Sequence, residues 1–314
     1  MLAALAANLG IAVTKLIAFL ITGSASLLAE TVHSVADSGN EVLLLVGRRR
    51  SGRRETRLHP FGFGRERYFY GFIVAVMLFA VGGIYSVYDG VRKIIHPEQL
   101  TTPAVAFAVL GVAIVLEAFS LRTAVSRSND VRGRLGWTAF IRRSKAPELP
   151  VVLLEDTAAL TGLVFALIGV TLAVVTGDGA WDGAGSLAIG VLLCCVAGVL
   201  AVEMKSLLIG ESASAEAERA IVAALESGPE IDCVIHLRTV HIGPESLLVG
   251  AKIAFRRNLT TAEISAAINS AERRVREAVP IAEVIYLEPD LYRPALDDAS
   301  DPAVRAARLT DEQP

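Results

Sequence analysis

The chain is poor in cysteine, histidine and aromatic residues, with 3 Cys, 5 His and 6% Phe, Trp and Tyr among 314 residues. Cys194 and Cys195 are neighbours and Cys233 stands apart, so there is no C-x-x-C pattern and no disulfide framework. The first two lie in an apolar run and read as small core residues. A basic surplus is also missing. Against 33 Asp and Glu there are 30 Lys and Arg, a formal net charge of −3, which argues against nucleic acid as a partner because nothing is left to neutralise phosphates. Long apolar runs are what the chain has instead. Hydrophobic residues make up 53% and the mean hydropathy is +0.51, too apolar for an ordinary soluble protein.

The polarity is segregated, which predicts a membrane domain over 1–209, a soluble domain over 210–293 and a disordered polar tail over 294–314. A membrane-spanning helix needs about 20 apolar residues. Six segments come close: 1–22, 24–47, 68–95, 101–126, 149–177 and 183–209. The first is of membrane length and lacks a charged leader, so it is expected to span rather than to be a cleaved signal peptide. The turn Thr22-Gly23-Ser24 makes the first two segments antiparallel neighbours. Basic residues cluster after the second segment (Arg48, Arg49, Arg50, Arg53, Arg54) and after the fourth (Arg127, Arg132, Arg134, Arg142, Arg143), while 22–24, 96–100 and 177–182 carry none. By the positive-inside rule both termini and the soluble domain are expected in the cytoplasm, which suits a lone reduced Cys233. The soluble part reads α-β-β-α-β: helices over 214–227 and 260–279 capped by Ser214 and Thr260, and strands over 233–242, 246–255 and 282–288, the first two a hairpin through Gly243-Pro244-Glu245. The predicted fold is thus a six-helix, all-α membrane domain followed by a small cytoplasmic α+β domain of ferredoxin-like order, with two helices on one face of the sheet.

The chemistry concentrates in the second segment, SASLLAETVHSVADSGNEVLLLVG, where Glu30, His33, Asp37, Asn40 and Glu41 fall mid-membrane. Ionisable groups there cost roughly 2.5–3.5 kcal/mol on insertion scales, so they are by default functional and face a protein interior or watery cavity. His33 and Asp37 are four apart and share one helical face, an imidazole and a carboxylate aimed at one spot: a metal site in outline, or a hydrogen bond that tightens packing. The fifth segment supplies the second half, VVLLEDTAALTGLVFALIGV, with Glu155 and Asp156 adjacent. Neighbours on a helix point about 100° apart, so only one of these acids aims squarely at the bundle centre, and Glu155 either swings in or pairs elsewhere. Lys15 either pairs with a carboxylate or snorkels, and Asp89 and Glu117 either line a pathway or pair with Lys15 or a nearby Arg. In the loop HPFGFGRERY, residues 59–68, the G-x-G follows no strand, so a nucleotide loop is rejected and Pro60, Gly62 and Gly64 are read as a tight re-entry turn.

Taken together, TGSASLLAETVHSVAD, HPFGFGRERY, the acidic start of the fifth segment and the α-β-β-α-β order resemble the cation diffusion facilitators, divalent-metal/proton exchangers that include many zinc transporters. The resemblance covers nearly the whole chain. It implies a homodimer with a transport site between the second and fifth helices of each protomer, and a cytoplasmic domain that helps dimerise. His33, Asp37 and Asp156 match the family's ligand positions, leaving Glu155, water or a backbone carbonyl as the fourth donor. Many zinc-transporting members carry a histidine four residues before that aspartate; here Val152 stands there, as in a branch of the family that also lacks it. The loop site of some relatives is reduced to His59, with Phe63 at the second ligand position, and His241 and Glu288 are candidates for a cytoplasmic metal site where Tyr286 occupies a usual ligand position.

The expected function is divalent-cation efflux coupled to protons. Histidine ligates only when neutral and its reference pKa is about 6.5, so protons and metal compete for His33 near neutrality. Zinc leads on imidazole and carboxylate ligands, with manganese or iron(II) as the alternative because one nitrogen is missing. A non-transporting metal sensor or scaffold and a membrane-embedded metal hydrolase are the competing classes. The first has no need of the buried charges, and the second lacks a readable catalytic constellation. No enzyme activity and no resident cofactor are expected, the metal being cargo, and the plasma or inner membrane is the expected location.

Overall fold

A computed structural model describes residues 5, 8–10, 12–14, 16, 17, 20, 25–97 and 103–292, with residues 25–30, 32 and 33 described by backbone alone. Lys15, most of the segment 1–22 and the tail 294–314 lie outside the described residues. The chain divides into two compact units, Met1–Gly52 with Glu66–Leu208, and Arg53–Arg65 with Ile209–Pro314.

The first unit contains α1 (Ala25–Ser51), α2 (Glu66–Ile95), α3 (Pro103–Arg132), the short α4 (Trp137–Arg143), α5 (Glu148–Thr176) and α6 (Ala180–Ile209). Among the described residues α2, α3, α5 and α6 are long and apolar enough to cross a membrane. Their outward faces fit a lipid solvent: Val115, Phe119, Val175 and Val191 are exposed, while serines, Asn40 and several carboxylates are buried. The protein is a multi-pass membrane protein, with apolar outward faces and a few polar side chains buried among its helices. Helix association in lipid depends on close van der Waals packing, which small residues permit. In α2 and α6 they lie seven apart, Gly83 with Gly90 and Gly183 with Gly190. A Cβ on Gly90 would come within 2.5 Å of the Leu187 nitrogen, and one on Gly190 within 2.5 Å of the Val87 nitrogen. Backbone therefore meets backbone along this seam, next to a π-helical stretch in α2 at Leu78–Ile84. Cys194 packs against Gly83 here, as a core residue should, but Cys195 is exposed. Successive helical residues point about 100° apart, so the two meet different surroundings.

In the second unit α7 (Ala215–Glu226), β1 (Ile231–Gly243), β2 (Ser246–Phe255), α8 (Thr261–Ala278) and β3 (Ala282–Asp290) follow in that order. The sheet order is β1-β2-β3, with β1 antiparallel and β3 parallel to β2. A parallel partner needs a crossover, and α8 provides it. Both helices are capped: Ser214 Oγ accepts from the Ala217 nitrogen, and Thr260 and Glu263 form a reciprocal capping box. Ile221 and Leu225 of α7, Ala271 and Val275 of α8, and alternate strand residues such as Leu237, Leu247 and Ile253 close one apolar core.

Candidate metal centre

The polar residues of α1 follow a helical stripe. Thr31, Ser34, Ser38 and Glu41, spaced by three or four, are buried along with Asn40, whereas Val35 and Val42 are exposed. Spacing by three or four puts Thr31, Ser34, Ser38 and Glu41 on one face, and in lipid that face turns inward. Asp37 is half-buried on the same helix. Asn8 Nδ2 donates to Glu41 Oε1 at 3.3 Å. His33 lies within α1 one turn before Asp37, and its side chain, like that of Glu30, is outside the described residues.

On α5 both acids are buried, Glu155 at 9% and Asp156 at 7% exposure. The angle between adjacent helical positions gives them different neighbours. Glu155 Oε1 accepts from Asn40 Nδ2 of α1 at 2.8 Å, while Asp156 Oδ2 accepts from Ser120 Oγ of α3 at 2.9 Å. Glu155 is thus tied to α1 through Asn40, and Asp156 to α3 through Ser120. Val152, one turn earlier, packs with Leu44, Val151 and Leu153 in the surrounding apolar clusters. Buried carboxylates thus lie on two helices, α1 and α5, oxygen donors of a kind suited to a divalent cation.

Comparison with known proteins decides the family. The sequence model for the cation efflux transmembrane domain matches residues 1–209. The chain belongs to the cation efflux, or cation diffusion facilitator, family. Within it, the chain is 32% identical over 250 residues to the mitochondrial proton-coupled zinc antiporter SLC30A9 of Xenopus laevis, covering 79% of this chain and 44% of that protein. It is 30% identical over 231 residues to metal tolerance protein C4 of Arabidopsis thaliana, covering 73% and 50%. The chain thus spans about half the length of these curated relatives. Among solved structures, the C-terminal domain of MamM in a nickel form matches at a TM-score of 0.23 and 19% identity, covering 24% of this chain and 96% of that one.

The other candidates of this cation efflux protein are dispersed. Asp89, on α2, pairs with Lys93 at 2.9 Å, and the same Lys93 reaches Asp182 of α6 at 3.0 Å, so a lysine on its own helix takes the role expected of Lys15 or an arginine. His59 is exposed and stacks on Phe63 at 4.5 Å between ring centroids. His241 is buried, with Nδ1 3.3 Å from the Gly243 carbonyl. Glu288 pairs with Lys252 at 3.2 Å, and hydrogen bonds from Asp290 and Glu288 hold the Lys252 pKa above its ordinary value. His241 registers with Leu247 on one side of β2 and Glu288 with Lys252 on the other. At about 3.3 Å per residue and 4.8 Å per strand, the two stand some 19 Å apart, roughly. Among the described residues no group of three or more His, Cys, Asp or Glu converges on one point.

Sequence reasoning missed Ser120 and the tie between Arg67 and Glu148, where Nε and Nη2 meet the two carboxylate oxygens at 2.5 and 2.8 Å. A single serine in the apolar run AIVLEAFSLRTAV carries no signal of its own. Its one hint is the three-residue spacing from Glu117, which shares its helical face.

Proposed function

We propose that this chain exports a divalent cation, zinc by preference, in exchange for protons by alternating access. The observation that supports this most is the buried Asn40–Glu155 hydrogen bond at 2.8 Å, which joins α1, the helix of His33 and Asp37, to the acidic start of α5. In this reading His33, Asp37 and Asp156 ligate the ion. Two carboxylates offset its charge, and Ser120 holds the Asp156 oxygen by donating to it. Protons and metal compete for His33, whose reference pKa of about 6.5 lies near cytoplasmic pH. Metal loads on the cytoplasmic side, the protein opens outward, and incoming protons displace it. Relatives named as proton-coupled zinc antiporters support the coupling and the ion. The valine at 152 favours a second reading, manganese or iron(II) by the same route, because the site then offers one nitrogen and more oxygen.

The same proposal takes residues 1–209 as six membrane-spanning helices and 210–293 as a ferredoxin-like cytoplasmic domain, in a homodimer with both termini in the cytoplasm of a cell bounded by the plasma or inner membrane. The chain acts as a transporter and not as an enzyme. The test is zinc and manganese flux in proteoliposomes with an imposed pH gradient, comparing wild type with Asp37→Ala and Asp156→Ala. Gradient-dependent zinc flux lost in both variants is expected. Flux indifferent to a collapsed gradient refutes the coupling, and no flux of either ion refutes transport.

A further inference from the structure

Asn40 has a free donor atom for a cation. Its side chain is 2% exposed and lies one turn past Asp37 on the same face of α1. Nδ2 is committed to Glu155 Oε1, which fixes the amide. Among the described residues no hydrogen-bond donor reaches Oδ1. Buried amide oxygens in native structures nearly always have a partner, and each exception calls for a reason. Next to it Glu41, 6% exposed, presents a second such oxygen, Oε2, while its Oε1 accepts from Asn8. Oxygens that collect no donors, on a helix face that also carries Asp37, are what a cation needs and what a hydrogen-bonded core avoids.

Resting on the transport reading above, we propose that Asn40 Oδ1 is a ligand of the transported ion, supplying an oxygen donor where Val152 removes an imidazole, and that Glu155 positions the amide. An amide oxygen is a hard donor without charge, so it raises affinity for manganese-like ions more than for zinc, and it adds no carboxylate that would hinder release. This makes Asn40 a determinant of ion selectivity.

The experiment measures Mn2+ and Zn2+ binding to the detergent-solubilised full chain by equilibrium dialysis, for wild type, Asn40→Ala and Asn40→Asp. Asn40→Ala is expected to weaken Mn2+ binding by roughly tenfold or more, and Zn2+ binding less. Asn40→Asp keeps the oxygen but cannot donate to Glu155, and is expected to bind both ions at least as tightly as wild type. If Asn40 served only to hold Glu155, Asn40→Asp would lose binding, and that result overturns the assignment. Unchanged binding in Asn40→Ala overturns it as well. Should Asn40→Ala fail to fold, the direction of the Asn40→Asp effect decides alone. A wild type that binds neither ion overturns the transport reading itself, a result distinct from any change among the variants.

Discussion

Removing the guanidinium of Arg67 should cost far more than the loss of an ordinary surface ion pair. Arg67 stands at the start of α2 and Glu148 at the start of α5; their side chains are 12% and 8% exposed and meet through two parallel hydrogen bonds. Exposed pairs contribute about 0–1 kcal/mol. Burial changes the arithmetic, since truncating one partner strands the other charge away from water at a cost of about 3–5 kcal/mol. Replacing both by apolar residues of similar volume removes the stranded charge and is often neutral. The expected order of thermal stability in detergent is therefore wild type close to Arg67→Met/Glu148→Leu, with Arg67→Ala far below both. Asp156 lies eight residues beyond Glu148, about 12 Å along α5, so the tie also fixes the end of the helix that carries the site. A loss under about 1 kcal/mol in Arg67→Ala refutes the reasoning, because the pair would then be behaving as a solvated one.

Three further outcomes are expected. Val152→His places an imidazole one turn before Asp156 and should raise the zinc-to-manganese flux ratio by roughly tenfold; an unchanged ratio in proteoliposomes would show that this position does not face the ion. A Cβ on Gly64 would lie 2.6 Å from the Ile242 carbonyl oxygen and 2.8 Å from the Gly243 Cα, so Gly64→Ala should loosen the 53–65 loop from the β1–β2 hairpin at a cost of about 1–3 kcal/mol, seen as faster amide exchange in both. Thr260 donates to Glu263 through its nitrogen and hydroxyl, each at 2.7 Å, which holds the Glu263 pKa below its ordinary value. That contribution is present above the ordinary carboxylate pKa and is lost as pH falls through the lowered one, so amide protection at the start of α8 should drop in acid, and Thr260→Ala, which keeps the backbone donor and loses the hydroxyl, should weaken the dependence without abolishing it.

What could be read from the sequence was whatever repeats at a fixed local interval. Ser214 and Thr260 cap their helices because a side-chain oxygen two or three residues before an orphan N–H is a local matter, and the hairpin turned where Gly243-Pro244-Glu245 breaks the alternation, with Gly243 in register with Ser246. The inward stripe of α1 was legible for the same reason: carboxylates are too costly in lipid to point anywhere else. The partners of the α5 carboxylates Glu155 and Asp156 were not legible, because they come from other helices 115 and 36 residues away and are a common Asn and a common Ser. Lys93 taking both Asp89 and Asp182 depends on the crossing of α2 and α6, which is set by a glycine seam rather than by charge. Gly62 and Gly64 show the division within one motif. Gly62 closes a turn on His59 with φ of +76°, a local demand of the kind a turn reading anticipates, whereas Gly64 is small because the backbone of a strand some 180 residues later lies against it. Hence the loop 53–65, which the sequence reading assigned to the membrane domain as a re-entry turn, groups with the C-terminal sheet while running directly into α1 and α2 at its two ends.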